Sequence, residues 1–287
     1  MKLAELFNQG KTIFSLEVFP PKRDNPIATI YNTLDQLQDV EPDFISVTYG
    51  ASGSLADNST CEIASAIKHK YGINSAAHLT CVNSTKAEVT EVLRRLHENG
   101  VENILALRGD LVPDVERKKE FLHANELISF IKQTPYDFGI SGACYPEVHL
   151  DSESQVDDII NLKKKVDAGA EHLISQLFFD NSAFYDFVEK ARIAGIDVPI
   201  EAGIMPVTNK KQIERMVSLC GASLPSKFTK MMSRYEYKPE ALRDAGIAYA
   251  VDQIVDLVSQ GVDGVHLYTM NNPYIAKRIK ESVKSLF

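Results

Sequence analysis

The chain has 287 residues, a formal charge of −8 and 44% hydrophobic residues, a length that suits one α/β barrel, typically about 250 residues. No run approaches the roughly 20 apolar residues that a membrane span needs, and the acidic balance argues against a surface built for nucleic-acid phosphates. The opening MKLAELFNQGKT lacks the charged, apolar, small order of an export signal, so a cytoplasmic enzyme is expected.

Short apolar runs recur along the chain and predict strands at IFSLEVF (13–19), DFISVTY (43–49), SAAHLTCV (75–82), NILALRG (103–109), FGISGACY (138–145), HLISQLFF (172–179), PIEAGIM (199–205) and GVHLYTM (264–270). Runs that are apolar on both faces are expected of parallel strands covered by helices. The stretches between them have helical spacing. Val89, Val92, Leu93 and Leu96 form one apolar stripe, and Ile247, Val251, Ile254, Val255 and Val258 another. Ser84 or Thr85, and Asn181 or Ser182, suit helix N-caps. Gly72, Gly100, Gly169, Gly195, Gly221 and Gly261 mark helix ends. Leu224 to Pro239 inserts extra helix or loop before the eighth strand, and a last helix from about Pro273 to Phe287 closes the pattern.

Eight strand–helix units predict an α/β chain folded as a (β/α)8 TIM barrel, one domain over residues 1–287. An open doubly wound sheet is the alternative, but no G-x-G-x-x-G follows the first strand. Cys61, Cys81, Cys144 and Cys220 are widely spaced, with no C-x-x-C pair, and read as reduced thiols behaving as small hydrophobes. His78 and His149 have no third ligand at a recognisable spacing, so no metal is expected.

In such a barrel the chemistry collects at the carboxyl ends of the strands. There the chain places Glu17 before Pro20 and Pro21, then Thr48 and Tyr49, His78 and Thr80, and Arg108, Gly109 and Asp110. Tyr145, Glu147 and His149 follow, then Gln176 and Asp180, and finally Tyr268 and Asn271. Any one of these has a plain structural explanation: an ion-paired core glutamate, a satisfied core histidine, an aspartate capping a turn. Together they are costly to bury unless they meet around a ligand.

The strings FSLEVFPPK (14–22), FISVTYGA (44–51), AAHLTC (76–81), ALRGD (106–110), YPEVH (145–149), NLKKKVDAGA (161–170), QLFFD (176–180), GIMPVTNKKQ (203–212) and LYTMN (267–271) resemble, in order, the motifs of bacterial-type methylenetetrahydrofolate reductases. The match covers nearly the whole chain and ends with the barrel, with no counterpart expected of the C-terminal regulatory domain of eukaryotic members. The resemblance implies FAD as cofactor, NADH or NADPH as hydride donor and reduction of 5,10-methylenetetrahydrofolate by ping-pong kinetics. It implies flavin contacts at Thr48, His78, Arg108, Gly109, Asp110, Ala143, Tyr145, His149, Asp158, Asn161, Lys164 and Lys165. Lys164 and Lys165 would offset the diphosphate charge, and Asp158 and Asn161 would bond ribose hydroxyls; their spacing alone reads as a solvated face.

By the same resemblance Glu17 and Asp110 are the catalytic pair and contact substrate, together with Gln176 and Gln212. Glu17 would be the general acid. Such an acid needs a raised pKa, which an apolar surround of Phe14, Phe19 and neighbouring prolines would supply. Asp110 would stabilise the cation that develops as the substrate ring opens. The chain departs from the family at Asn272, where an arginine commonly binds the folate tail, so that contact is missing or moved to Lys277 or Arg278. It departs again at Met216, which stands where an aromatic ring is frequent. Two other readings compete: a flavin-free folate-dependent one-carbon transferase, which would be colourless, and a non-catalytic flavin- or folate-binding barrel, which would not require the acid. Barrels of this kind often associate, so a homo-oligomer with small-molecule partners is expected.

Overall fold

The computed structural model describes residues 1–21, 25–49, 58–110 and 118–287, apart from the side chains of Lys210, Gln212, Arg215, Ser218 and Leu219. Eight parallel strands close into a barrel in chain order. They are β1 (Ile13–Val18), β2 (Phe44–Val47), β3 (Asn74–Thr80), β4 (Asn103–Leu107), β5 (Gly139–Cys144), β6 (His172–Ser175), β7 (Ile200–Ile204) and β8 (Gly264–Tyr268). Seven lie inside the run that their apolar pattern predicts and β3 starts one residue earlier, at Asn74; β8 pairs with β1, so the sheet is closed and the open doubly wound alternative is set aside. Around it run α1 (Ala28–Leu37), α2 (Ser59–His69), α3 (Lys86–Glu98), α4 (Ala124–Lys132), α5 (Gln155–Asp167) and α6 (Asn181–Ile193). Next come α7 (Lys210–Cys220), α8 (Ser226–Tyr235), α9 (Pro239–Ser259) and α10 (Pro273–Val283). Helix α8 is the predicted insertion. Among the described residues no helix is long and apolar enough to cross a membrane.

Alternation along each strand divides the core. Phe14, Leu16 and Val18 of β1 pack with Ile45, Val47, Leu79, Val265 and Leu267 in the layer between sheet and helices. Inside, Ile13, Phe44, Ala76, Leu105 and Ile174 meet Leu3 and Leu6 of the short segment Leu3–Gln9, which plugs the amino end. Above this plug the inner face is not apolar: Ser15, Ser46, Ser141, His172, Glu201 and His266 are all buried there. The expectation of strands apolar on both faces therefore holds for the outer face only. Polar groups are tolerated inside because they can bond one another across the barrel.

The helix ends are local chemistry. Thr85 caps α3 in a full capping box with Glu88. Asp180 caps α6 by accepting from Ser182 N–H, rather than Asn181 or Ser182, because Asp180 is the last residue with extended backbone. All six glycines predicted at helix ends have positive φ. In α9 the stripe is shifted: Ile247, Ala250, Ile254 and Leu257 are buried and Val255 is exposed. The four cysteines are free, three of them buried and Cys220 half-buried.

Helix α9 approaches the segment after β7 so closely that a Cβ on Gly246 would lie 1.7 Å from the Val207 carbonyl oxygen. Gly246→Ala should therefore destabilise the fold by about 1–3 kcal/mol, as overpacking does, and lower the thermal midpoint by several degrees. An unchanged midpoint in a melting curve would contradict this packing.

Candidate active site

Glu17 is the last inward residue of β1 and pairs in register with Ser46 of β2 and Tyr268 of β8. The turn beyond it is stapled to the end of β8. Thr269 Oγ1 donates to Glu17 O at 2.6 Å, Asn271 Nδ2 donates to Phe19 O at 2.8 Å, and Phe19 N–H donates to Asn271 Oδ1 at 3.0 Å. Asn271, expected as a polar strand end facing ligand, is thus a clasp for the Glu17 turn. Both Met270 and Asn271 adopt left-handed backbone, at φ 51° and 52°, which turns the chain back toward β1.

The Glu17 carboxylate faces two imidazoles, with Oε2 at 3.5 Å from His78 Nε2 and 3.8 Å from His266 Nε2. Phe14 does not contribute to its surround: it lies on the outer face, packed edge-on to Phe287 at 5.0 Å and beneath the Lys280 ammonium. Alternation places residue 14 opposite residues 13, 15 and 17. His78 is 7% exposed, and burial pushes its imidazole down to about 4. Its Nε2 is a buried nitrogen with no hydrogen-bond partner. Burial also raises the Tyr268 phenol well above its ordinary value, and its hydroxyl donates to Ser175 O at 2.7 Å.

These groups open on a cavity of about 560 Å³, within the range of small-molecule and cofactor sites. Its walls include Glu17, Thr48, His78, Arg108, Gly109, Asp110, Ala143, Tyr145, His149 and Gln176 among the predicted residues. Leu177, Met205, Met216, Tyr268 and Met270 give it an apolar side. Gly109 leaves β4 at φ +87°, and a Cβ there would sit 2.9 Å from Thr80 Cβ; glycine is required for this turn.

A second cavity, of about 240 Å³, adjoins the first and shares Arg108, Ala143, Tyr145 and His149 with it. Asp158, Asn161, Lys164 and Lys165 of α5 line it. Lys165 Nζ donates to Ala143 O at 2.7 Å and sits 5.7 Å above the Tyr145 ring, and burial lowers its pKa. Lys164 donates to Asn161 Oδ1 at 3.0 Å. The Asp158 carboxylate orders the loop after β5 by accepting from His149 N–H and Ser152 Oγ, each at 3.1 Å. Arg108 reaches Asp151 at 2.6 Å. His149 accepts from Asp151 N–H through Nδ1 at 3.0 Å, and burial, then Arg108, lower its pKa.

Three expectations move. Glu147 lines neither cavity and accepts from Ser223 N–H at 2.9 Å. Lys277 is engaged with Asp39 at 2.6 Å on the outer layer, and neither it nor Arg278 lines either cavity. Asn272 caps α10 by accepting from Ile275 N–H. Gln212 falls on α7, and its side chain lies outside the described residues. Sequence reasoning missed His266, Glu201 and His172; their signal was a polar residue at alternate positions within otherwise apolar strands. Among the described residues no cluster of three or more His, Cys, Asp or Glu is placed to hold a metal.

A family model described as methylenetetrahydrofolate reductase matches residues 2–284. The chain is 38% identical over 277 residues to the 5,10-methylenetetrahydrofolate reductase of Pectobacterium carotovorum subsp. carotovorum, covering 96% of this chain and 91% of that one. It is 38% identical over 269 residues to the enzyme of the same name from Escherichia coli K12, covering 94% and 89%. In fold it is similar to an uncharacterised protein from Clostridium thermocellum that binds two copies of 5-methyl-5,6,7,8-tetrahydrofolic acid. The TM-score is 0.70 at 15% identity, over 98% of this chain and 97% of that one.

The depressed His78 value makes a linkage prediction. Between its ordinary value of 6.5 and about 4, the unfolded chain binds a proton that the folded chain refuses. Stability from this group is thus lost as pH falls through that window. From pH 7 to pH 5 the loss is about 2 kcal/mol. Urea unfolding at the two pH values should show His78→Gln less acid-sensitive than wild type by about that amount. Equal losses in the two proteins would contradict a buried neutral His78.

Proposed function

The chain belongs to the methylenetetrahydrofolate reductase family, and from that premise we propose that it reduces 5,10-methylenetetrahydrofolate to 5-methyltetrahydrofolate at the carboxyl end of its barrel, with FAD as cofactor and NAD(P)H as hydride donor. The observation that carries this reading is the placement of Glu17. A carboxyl group sits at the mouth of the barrel against two imidazoles, opening on the same cavity as Asp110 and an apolar wall of methionines and Tyr268. A protein that only bound its ligands would not need that group.

The residues present fit a flavin dinucleotide. The orphaned His78 Nε2 supplies a buried polar contact at the larger cavity, where Thr48, Arg108, Gly109, Asp110, Ala143, Tyr145 and His149 would hold the ring system. Lys164, Lys165 and Arg108 gather positive charge at the adjoining cavity, as a diphosphate requires. Asn161 there, and the lone pairs that Asp158 retains on each oxygen, suit ribose hydroxyls. When bound, the flavin would supply the hydride transfer between NAD(P)H and the folate carbon, chemistry that belongs to the cofactor.

The chain's own residues manage protons and charge. Breaking the bond between the bridging carbon and N10 requires a proton on N10 and leaves a 5-iminium cation. Glu17 donates that proton as general acid. Asp110, at the exposed rim of the same cavity, sets a carboxylate where the cation develops. Gln176, whose Oε1 accepts from Leu177 N–H at 2.8 Å, keeps its amide NH2 for the pterin. The methionines and Tyr268 supply one stacking face for nicotinamide and then folate, which makes the kinetics ping-pong. The same reading makes residues 1–287 one catalytic domain, cytoplasmic and self-associating, with folate and NAD(P)H as its small-molecule partners.

Separate half-reactions test these assignments. Glu17→Gln should slow oxidation of the reduced enzyme by methylenetetrahydrofolate about 10²–10⁴-fold while NADH still reduces it at the wild-type rate. Equal loss in both halves would remove Glu17 as the acid, since only one half needs a proton on N10. Asp110→Asn should weaken both halves; an unaffected folate half-reaction would contradict its electrostatic part.

A further inference from the structure

Beneath Glu17 the barrel interior holds a chain of buried polar groups that line neither cavity. Ser15 Oγ lies 2.6 Å from His266 Nδ1 and 2.8 Å from Glu201 Oε1. Glu201 Oε2 lies 2.9 Å from His172 Nε2, and His172 Nδ1 lies 2.9 Å from Ser141 Oγ. Ser15, Glu201 and His266 are wholly inaccessible to solvent. Room for the glutamate exists only because position 264 is glycine: a Cβ there would lie 2.8 Å from Glu201 Cγ. The chain does not lead out of the protein. His172 ends it, with the Phe7 ring 4.8 Å away and Phe44 edge-on at 6.0 Å. Such a closed network orients protons and does not conduct them.

A hydroxyl carries one proton, and this decides the state of His266. Glu201 Oε1 accepts from Ser15 Oγ at 2.8 Å, as a carboxylate oxygen does. The Ser15 proton goes to that oxygen, and the Ser15 lone pair is left for an N–H on His266 Nδ1. His266 Nε2 is then bare, and it is the atom that faces Glu17 Oε2 at 3.8 Å and Ser46 Oγ at 3.4 Å. We propose that Glu201 is a positioning residue for the acid step: through Ser15 it holds the His266 proton on Nδ1, so that a bare Nε2 faces Glu17 and favours its protonated form. This rests on Glu17 being the general acid proposed above.

The titratable groups that face Glu17 are His78 of β3 and His266 and Tyr268 of β8, with Tyr49, Arg108, Asp110, Tyr145 and His149 on the walls of the same cavity. Burial holds His78 neutral near pH 7 and Tyr268 in its phenol form. His78 and His266 both turn Nε2 toward Glu17, and His266 is the one whose tautomer the buried chain through Ser15 sets. Loss of Ser15 or Glu201 frees the His266 proton to move to Nε2, where it would bond the ionised carboxylate and favour that form instead.

The test is the pH profile of single-turnover oxidation of the NADH-reduced, flavin-loaded enzyme by methylenetetrahydrofolate, in wild type, Ser15→Ala, Glu201→Leu and Glu17→Gln. Ser15→Ala removes one oxygen atom and is the variant that keeps the test open should Glu201→Leu fail to fold. Both variants should lose activity at the alkaline side about one pH unit earlier than wild type, with the acid-side rate and the NADH half-reaction unchanged. Nitrogen-15 spectra of His266 should show the proton on Nδ1 in wild type and on Nε2 in Ser15→Ala. An alkaline limb that stays in place in Ser15→Ala, or a wild-type His266 already protonated on Nε2, would overturn the positioning role. A Glu17→Gln enzyme that keeps the folate half-reaction would instead overturn the reading of Glu17 itself, whatever the limb does.

Discussion

Strand β8 closes the barrel by pairing with β1, and that closure sets where Glu17 stands. The register puts Tyr268 beside Glu17 and His266 beside Ser15, while Thr269 and Asn271 fasten the backbone from Glu17 to Phe19. One strand pair therefore delivers the carboxyl group, an imidazole beside it and the aromatic wall above it. A residue on a loop would hold such an arrangement less firmly than one on a strand paired on both sides, as β1 is with β2 and β8.

Charge is arranged along the mouth with the same economy. Cationic groups, namely Arg108, Lys164 and Lys165, gather on the side of β4, β5 and α5, and carboxyl groups flank the larger cavity at Glu17 and Asp110. Among the described residues Lys165 makes no ion pair with a carboxylate: its ammonium has the Ala143 carbonyl and the Tyr145 ring. A buried ammonium in that position gains from an anionic ligand what the protein leaves out. The larger cavity gives the opposite setting, in which burial keeps His78 neutral and so adds no positive charge beside the Glu17 carboxyl group, while Tyr268 stays an uncharged phenol.

Much of this was legible in the residues alone, and the reasons are physical. The strands stand out because their outer faces are continuous apolar runs, and the helices end where glycine can take positive φ. Most of the predicted site residues share two adjoining cavities, since the carboxyl ends of consecutive barrel strands must converge. Side-chain direction was harder to read. Phe14 was placed beside Glu17 although alternation sends it outward, and Glu147 and Lys277 found partners elsewhere. The inner polar chain of Ser15, Glu201, His172 and His266 was hidden for a different reason. Its members lie on four strands far apart in sequence and acquire meaning only when the barrel closes.

The most direct measurement is an absorbance spectrum of the purified protein, taken before and after anaerobic addition of NADH and again after methylenetetrahydrofolate. Flavin bands that bleach with NADH and return with the folate are the expected result, because both half-reactions then occur at one site. A protein that stays colourless after FAD is supplied, or a reduced flavin that the folate does not reoxidise, would contradict flavin-dependent folate reduction in this barrel.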